Sequence, residues 1–368
     1  MEILSQIALT FIPGLGNTSI RRLVDLYPDE DIFALPASEL KTVFADHPAI
    51  LGHIQGKSSF PRAEQELAFC EKNRIRPLFF TSPDYPERLN RAETEDCPAL
   101  LYVMGSADLN PDRPVAIVGT RRATPQGRDN TDRLVSQLKA YNTPIISGLA
   151  YGIDTASHTA ALDHSLPTVA VLGHGLDRIY PAQNRPLAKR ILDNGGALVT
   201  EYPSSTAINP RFFPARNRII AALADATVVV EASDKGGALI TAAIAASYHR
   251  DVFALPGRLT DTYSRGTINL IATNRALLAR NADDIAFQLG WPLIGRQATL
   301  DGIQETPRLS PDEQKIADAL RDSDHLTLDE LAAATSFSLP KTAGILFTME
   351  MAKQVRTLPG HLYQLVKS

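Results

Sequence analysis

The sequence predicts an α/β protein whose central domain is a doubly wound, Rossmann-like parallel sheet. Two observations support this prediction. First, short β-branched or apolar runs alternate with loops and helix-compatible stretches, as in sheets covered by helices on both faces. Second, glycine, hydroxyl and cationic residues follow these runs at the same end, where such sheets bind ligands. The predicted strands are residues 115–118, 145–147, 168–172, 197–200, 227–231 and 252–255.

Length and composition indicate a soluble protein with two or three domains. The 368 residues carry 37 lysines and arginines against 41 acids, a net charge of −4, which argues against a uniformly basic nucleic-acid binder. Any nucleic-acid site must therefore be a local patch. No membrane span or signal-peptide pattern is evident, and Cys70 and Cys97 lack metal-ligand spacing. We expect a cytoplasmic protein without membrane contact or bound metal.

Residues 1–75 have a helical pattern, and we predict a small helical domain here. Pro13-Gly14-Leu15-Gly16 forms a turn between apolar helices, with Arg21 and Arg22 just beyond it. This arrangement is similar to the SAM-like and helix-hairpin-helix modules of nucleic-acid proteins, in which glycine amides touch a phosphate. A purely structural turn explains the same residues, and we favour that interpretation.

Residues 76–290 form the predicted sheet domain. Its first part, 77–105, is interrupted by prolines and contains one strand-like run, 98–105. Because proline is tolerated at sheet edges and not in central strands, this part is predicted to extend the sheet at one edge.

The first predicted strand ends in Gly119-Thr120-Arg121-Arg122, directly before a helix. Glycine allows a tight turn, and a helix N-terminus attracts anions through its unpaired N–H groups. The two arginines add charge, so this corner is predicted to bind a phosphate. If this loop is considered alone, a tight turn with two solvated arginines explains its sequence as well as a phosphate site does.

The other strand ends carry similar residues. They are Ser147-Gly148 with Asp154 as the expected helix cap, Asn184-Arg185 at the head of a helix, Arg216-Asn217-Arg218, and Ser233-Asp234-Lys235-Gly236-Gly237. A rim of such groups suits a phosphate-rich polymer or a phosphorylated small ligand.

Enzymatic alternatives find less support. In 173–178, Arg178 replaces the third glycine of a dinucleotide fingerprint, and there is no Walker-type loop. Asp154 and His158 share a helix face without a second ligand pair, so a cap and a packed histidine are predicted. Ser147 does not lie in a nucleophile elbow. We find no catalytic set and expect no cofactor.

Glu201 and Glu231 follow two of the predicted strands and leave one catalytic possibility open. They could form a carboxylate pair. Carboxylates at strand ends more commonly anchor neighbouring arginines, and we favour that role.

Several motifs together resemble the DNA-processing protein A (DprA/Smf) family. They are Gly119-Thr120-Arg121-Arg122-Ala123-Thr124, residues 147–154, Tyr180-Pro181, Glu201-Tyr202-Pro203, residues 213–221 and residues 237–242. The resemblance implies a non-enzymatic protein that binds single-stranded DNA during natural transformation, protects it and helps to load the RecA recombinase. It also implies a homodimer through the sheet domain, to which Ile268, Leu270 and Ile271 are candidate contributors.

The resemblance also implies site residues. The family's phosphate-binding arginine corresponds to Arg121 and a second basic residue to Arg185. With the rim residues, the predicted DNA-binding set is Gly119, Thr120, Arg121, Arg122, Ser147, Gly148, Arg185, Arg216, Arg218 and Lys235. Two positions depart from the family pattern, namely Gln126 in place of an aromatic residue and Lys235-Gly236-Gly237 in place of a Ser-Gly pair. They leave the predicted phosphate corner intact and affect the detailed contacts, above all base stacking.

The alternative function is a nucleotide-processing hydrolase related to the phosphoribohydrolases of the same fold. Those enzymes carry Pro-Gly-Gly-x-Gly-Thr followed by a glutamate. Here residues 235–243 lack both the third glycine and the acid.

Residues 291–309 are predicted to be a linker, and 310–368 a winged-helix domain. Ser310 and Thr327 begin two predicted helices, a third follows Ser338, and a hairpin around Pro359-Gly360 forms the wing. This domain has eight acids against six lysines and arginines, and Lys341 is the only cation of its third helix. We therefore favour a partner-binding or regulatory role over DNA reading.

Overall fold

The computed structural model of the protein describes residues 1–91, 97–292, 310–323, 325–351, 354–358 and 362–365. The chain divides into two compact units, Met1–Gly295 and Arg296–Ser368. Their boundary falls within the predicted linker, of which residues 293–309 lie outside the described part. The first unit contains the predicted helical and sheet domains, and the second contains the predicted winged helix.

The N-terminal part of the first unit is helical, as predicted. Its helices are α1 (Ile3–Thr10), α2 (Asn17–Leu26), α3 (Ala37–Val43), α4 (Pro48–Gln55) and α5 (Phe60–Lys72), with a 3-10 turn at Ile32–Ala34. Their apolar sides share one core with the neighbouring sheet, in which Ile7, Leu9 and Ile20 are almost completely buried. The helical segment is therefore packed onto the sheet rather than separate from it.

The sheet follows the predicted pattern and extends it at both edges. In the described residues its order is β1-β2-β6-β5-β4-β3-β7-β8-β9. Strands β3 to β9 pair in parallel, and β1 and β2 are antiparallel at one edge, where Pro77 is tolerated. The strands are β1 (Ile75–Phe79), β2 (Leu100–Gly105), β3 (Val115–Val118), β4 (Ile145–Ser147), β5 (Thr168–Val171), β6 (Ala197–Thr200), β7 (Ala226–Val229), β8 (Asp251–Ala254) and β9 (Leu277–Leu278).

Helices cover both faces of the sheet because side chains alternate along its strands. Val115 and Ile117 of β3 belong to one apolar core, and Ala116 and Val118 belong to the other. The helices are α6 (Glu87–Asn90), α7 (Pro125–Leu138), α8 (Ile153–Asp163), α9 (Arg185–Asp193), α10 (Phe212–Leu223), α11 (Gly237–Ser247), α12 (Arg265–Ala272) and α13 (Ala282–Gln288), with 3-10 turns at Lys139–Tyr141 and Ala182–Asn184.

The chain changes direction across the sheet beside β3. It proceeds from β3 through β4 and β5 to β6, and then returns to place β7 on the other side of β3. The loops that leave β3 and β7 therefore diverge and open a crevice at the carboxyl ends of these strands. Crevices of this kind are the usual ligand sites of doubly wound sheets.

Arg21 joins the helical segment to the sheet. Its guanidinium donates hydrogen bonds to Asn90 Oδ1 (2.8 Å) and to the carbonyl oxygens of Cys97 (3.3 Å) and Pro98 (3.1 Å). It also lies 4.5 Å from the ring centroid of Phe80. These contacts support the structural interpretation of the glycine turn, because they engage Arg21 within the protein rather than presenting it to a phosphate.

The second unit is a winged helix, as predicted. Capping boxes begin two of its helices, at Ser310 with Glu313 and at Thr327 with Glu330, and its strands are ordered β10-β12-β11. The predicted Pro359-Gly360 turn lies outside the described residues. The elements are α14 (Pro311–Asp322), β10 (Leu326–Thr327), α15 (Leu328–Thr335), α16 (Leu339–Met351), β11 (Val355–Leu358) and β12 (Leu362–Leu365).

None of the helices in the described ranges combines the length and the apolar character that a membrane span requires.

Candidate functional site

The crevice beside β3 contains a cavity of about 330 Å³ that brings several predicted residues together. Gly119, Thr120 and Arg121 line it from the loop after β3, and Gly236 and Gly237 line it from the loop before α11. Helix α10 crosses between these loops and contributes Arg216 to the lining. Three separate segments of the predicted rim thus meet in one place.

Arg216 is the most unusual residue of this cavity. It is only 3% exposed, and its Nε atom has no hydrogen-bond partner in the described part of the chain. Burial lowers the pKa of its guanidinium to about 10, although the negative charge of Asp154 opposes this change. A buried guanidinium N–H without a hydrogen-bond partner is costly, so this position is suited to an anionic ligand that would complete the bonding of Nε.

Gly148 makes room for Arg216. A side-chain carbon at position 148 would overlap the guanidinium, so only glycine permits this approach. Gly119 is constrained in a similar way, because a Cβ there would lie 2.7 Å from Cβ of Ile153 and 3.0 Å from the carbonyl oxygen of Glu231. These two glycines of the predicted site set its shape through close packing.

Asp154 has a different role from the predicted helix cap. The N-cap of α8 is Gly152, and Asp154 lies inside the first turn, 7% exposed. Its carboxylate accepts a hydrogen bond from the backbone N–H of Ala150 (3.3 Å). Burial raises its pKa, while the charge of Arg216 opposes the increase. The prediction of a cap was wrong because the carboxylate is directed toward the preceding loop and Arg216.

The loop after β3 is fixed by backbone bonds. The N–H of Thr120 donates to the carbonyl oxygen of Glu231 (2.8 Å), and the N–H of Ile153 donates to that of Thr120 (3.2 Å). The side chains of Arg121 and Arg122 remain exposed at the loop tip. The backbone bonds therefore hold the loop in a position that presents two exposed cations.

Aromatic residues surround Arg121, and the sequence prediction missed them. The guanidinium carbon of Arg121 lies 5.9 Å from the ring centroid of Phe213, whose ring centroid is 5.5 Å from that of Tyr180. Tyr151 lines the same small pocket beside Arg121. A signal was present in the sequence, since Tyr151 stands alone between Ala150 and Gly152 in a strand-end loop, where a core role is unexpected.

Arg218 does not line the cavity with Arg216. It makes a two-pronged ion pair with Glu201, at 2.6 and 2.7 Å, and the two side chains are 11% and 13% exposed. Glu201 thus anchors an arginine, as favoured from the sequence. Glu231 instead accepts hydrogen bonds from the N–H (3.0 Å) and hydroxyl (2.5 Å) of Thr124, the N-cap of α7. The two glutamates have separate partners and do not form a carboxylate pair.

Three other predicted residues lie apart from the central cavity. Ser147 is completely buried, and its hydroxyl donates to the carbonyl oxygen of Ile117 (2.7 Å), so the predicted hydroxyl contact to a ligand is not available. Lys235 is exposed in the loop before α11. Arg185 is exposed at the start of α9, next to Asn184, whose amide donates to the carbonyl oxygen of Leu149 (2.8 Å).

Glu66 of the helical segment supports the loop that follows β6. It is 1% exposed and accepts hydrogen bonds from the N–H (2.8 Å) and the hydroxyl (2.5 Å) of Ser204. Arg62 donates to Glu66 (2.8 Å) and to the carbonyl oxygen of Ser204 (2.7 Å). The same loop carries Tyr202, whose ring stacks on Phe212 at the start of α10. The helical segment is thereby connected to the helix that holds Arg216.

Within the described ranges, no group of three or more histidine, cysteine, aspartate or glutamate residues is arranged to hold a metal ion. His158 is packed in the core, as predicted, with its Nδ1 atom 2.7 Å from the hydroxyl oxygen of Thr168.

The fold and the site define a class, namely Rossmann-like proteins that have an arginine-lined crevice at the carboxyl ends of the strands and are joined to a winged helix. Residues 76–290 match the family model of the DNA recombination-mediator protein A, and residues 304–361 match that of the DprA winged helix domain. The chain therefore belongs to the DNA recombination-mediator protein A family, also called DprA or Smf. This is a DNA-processing family.

Individual relatives agree with this assignment. The protein Smf of Synechocystis sp. is 30% identical over 97% of both chains, and the DNA processing protein DprA of Streptococcus pneumoniae is 40% identical over 55% of this chain and 70% of its own. The solved structure of the latter aligns with a TM-score of 0.65, at 31% identity over 80% of this chain and 99% of that one.

A second solved structure concerns the single-stranded DNA binding mode of DNA processing protein A from Helicobacter pylori. It aligns with a TM-score of 0.53, at 29% identity over 60% of this chain and 98% of that one.

Proposed function

We propose that this protein binds single-stranded DNA through its phosphates at the crevice beside β3, during natural transformation. The observation that carries the proposal is Arg216, a buried guanidinium whose Nε lacks a partner, at the base of a cavity that exposed Arg121 also lines. The Helicobacter pylori relative, studied for its single-stranded DNA binding mode, supports a polymer as the ligand.

The geometry favours a flexible strand over a duplex. The cations lie at several depths, with Arg216 buried and Arg121, Arg122 and Arg185 exposed, so phosphates must bend inward to reach them. Single strands bend readily, and arginines beside aromatic rings are typical of their binding sites. Contacts to phosphates carry little base information, so we expect slight sequence selectivity.

Competition between single-stranded and duplex oligonucleotides of equal length tests this proposal. We expect the single strand to bind more tightly and the affinity to depend little on base sequence. Tighter binding of the duplex would overturn the proposal.

We propose further that the protein protects the incoming strand, helps to load RecA onto it in the cytoplasm, and performs no catalysis. The family's description as a recombination mediator supports the RecA role. Separate partners for Glu201 and Glu231 argue against acid–base chemistry by this pair. RecA filament formation should accelerate when the protein is added to coated single strands. Base release from nucleoside monophosphates should remain at background, and turnover that is lost on replacing Glu201 or Glu231 would favour the hydrolase alternative.

We also propose a homodimer through the sheet domain, although not through all the residues predicted. Leu270 is buried in the core and cannot reach a partner, and Ile268 and Ile271 are partly buried. The edge strand β9 instead exposes Leu277 and Leu278, and Phe287 of α13 lines the same surface and is 88% exposed. An apolar edge strand is prone to pair with another chain.

A further inference from the structure

A groove between α7 and α8 continues from the crevice. It has a volume of about 660 Å³ and shares Arg121 with the central cavity. Arg122 and Arg128 line the part near Arg121, with Asp129 next to Arg128, and Asp132 and Asp163 lie farther along α7 and α8. The groove therefore runs from a cationic beginning toward an acidic end.

Tyr151 stands where the groove and the pocket beside Arg121 meet. It lines both, and its side chain is 42% exposed. Its hydroxyl lies 2.5 Å from Oε1 of Gln183, which holds the tip of the side chain in place. The next residue, Gly152, has a φ of +78° and fits closely against the backbone of Thr120 and Arg121. An exposed aromatic ring is thus fixed next to an arginine loop.

The groove offers space beside this ring. Small side chains, Thr155, Ala156 and Thr159, line it along α8. Arg122 has an exposed side chain and, among the described residues, no ion pair. A nucleobase that stacks on the tyrosine would have its neighbouring phosphate within the reach of this flexible cation.

We propose that the strand leaves the Arg216 cavity through the α7–α8 groove, with one base stacked on Tyr151 and a neighbouring phosphate bound by Arg122. This inference rests on the proposed function and adds a path and a positioning residue to it. Stacking on tyrosine is tolerant of sequence because every base has a π face. Tyr151 thereby strengthens binding without creating base specificity.

The acidic end limits how far the strand follows the groove. Asp132 lies 3.0 Å from Nε2 of His164 and Asp163 pairs with Arg190 at 2.8 Å, and the two carboxylate side chains remain 60% and 53% exposed. Phosphates are repelled by carboxylates at short range. The strand therefore turns away after it passes Arg128, and the groove holds only a short part of the bound strand.

An abasic scan tests the path. A series of single-stranded oligonucleotides, each with one abasic position, is titrated with the full chain as wild type, Tyr151→Leu and Tyr151→Phe. On the intact strand, Tyr151→Leu should weaken binding about tenfold, since stacking is worth roughly 1–3 kcal/mol per base and 1.4 kcal/mol is tenfold. Tyr151→Phe keeps the ring, loses only the Gln183 contact and should bind within about twofold of wild type.

The abasic position identifies the stacked base. At one position, removal of the base should weaken wild-type binding and abolish the difference between wild type and Tyr151→Leu. The inference would be overturned if Tyr151→Leu weakened binding equally at every abasic position, or did not weaken it at all. Single-strand binding by the wild type would still support the proposed function in that case. If wild type and Arg216→Gln bind single strands equally, the proposed function fails and the inference fails with it. Unchanged thermal unfolding of Tyr151→Leu serves as the folding control.

Discussion

At the scale of single residues, Arg216 and Arg121 carry the same charge in different surroundings. Arg216 is held by the packing of α10 against Gly148, whereas Arg121 is exposed on a loop tip. A flexible arginine loses side-chain entropy when it binds a ligand, and a buried one has already lost it on folding. We therefore expect Arg216 to contribute more to phosphate affinity than Arg121.

Exchanging each arginine of the Arg216-Asn217-Arg218 motif for glutamine should show which of the two binds the strand. Arg216→Gln should weaken single-strand binding at least tenfold, and it should also lower the free energy of unfolding, because it leaves the buried carboxylate of Asp154 without a nearby positive charge. Arg218→Gln leaves Glu201 without its cation and should lower the free energy of unfolding by about 2 kcal/mol. Oligonucleotide titration and urea unfolding measure the two effects. Weaker binding by Arg218→Gln, with unchanged binding by Arg216→Gln, would contradict the assignment of Arg216 to the binding site.

Salt dependence measures the contribution of Arg121. Each phosphate that is neutralised on a single strand contributes about −0.7 to the slope of log affinity against log salt. Arg121→Ala should therefore flatten the slope by roughly 0.7 without unfolding the protein, and Arg185→Ala should do the same. The double variant should lose more than either single variant. An unchanged slope for both would place the phosphates elsewhere.

His158 predicts how stability depends on pH. Burial, aided by the charge of Arg216, lowers its pKa from 6.5 to about 3. Between pH 6.5 and 3 the unfolded chain binds a proton at His158 that the folded protein does not bind. The free energy of unfolding is therefore highest above pH 6.5 and decreases as the pH falls toward 3. The loss should be about 1.4 kcal/mol per pH unit. Urea unfolding of wild type and His158→Asn should show a smaller loss in the variant, and parallel curves would contradict the prediction.

At the scale of elements, the strands and helix caps could be predicted from the sequence because their signals are local. The buried runs identified β3 to β8 within a residue or two, and Ser310 and Thr327 cap helices as expected. The surroundings of the site arginines could not be predicted, because the burial of Arg216 depends on Gly148, 68 positions away in the chain. The sequence favoured Glu201 as an anchor for an arginine, but the choice of Arg218 could not be predicted, because the two residues meet only in the folded chain.

The winged helix should contribute little to strand affinity through α16. Lys341 pairs with Asp312 at 2.8 Å and lies 4.1 Å from the ring centroid of Phe337, so its charge is already engaged. Lys341→Ala should leave both affinity and salt slope nearly unchanged. If instead it flattens the slope while Arg121→Ala does not, the DNA site belongs to the winged helix.

At the scale of the whole molecule, the net charge of −4 is compatible with DNA binding because the site is local. Arg121, Arg122, Arg185 and Arg216 belong to the loops and helices at the carboxyl ends of the central strands, where Glu201 and Glu231 are engaged by Arg218 and Thr124. Long-range attraction of DNA should therefore be weak, and affinity should depend on short-range contacts.

The exposed edge of the sheet predicts a dimer that a single substitution can convert into monomers. Phe287→Glu places a charge on the surface formed with Leu277 and Leu278 and should convert the dimer into monomers in sedimentation experiments. The variant should retain binding to short oligonucleotides, because Arg216 lies in a different cavity. Wild-type protein that is monomeric at all concentrations would contradict the proposed dimer.

The contact between Glu66 and Ser204 has a consequence for how the chain can be divided. Residue 75 marks a change in sequence pattern, yet a truncation there would remove the carboxylate that holds the loop beside α10 and uncover apolar side chains of β1 and β2. The helical segment and the sheet are thus one structural unit rather than separable modules. A fragment that begins at β1 and fails to bind DNA would report the loss of this scaffold, not the loss of a contact to the strand.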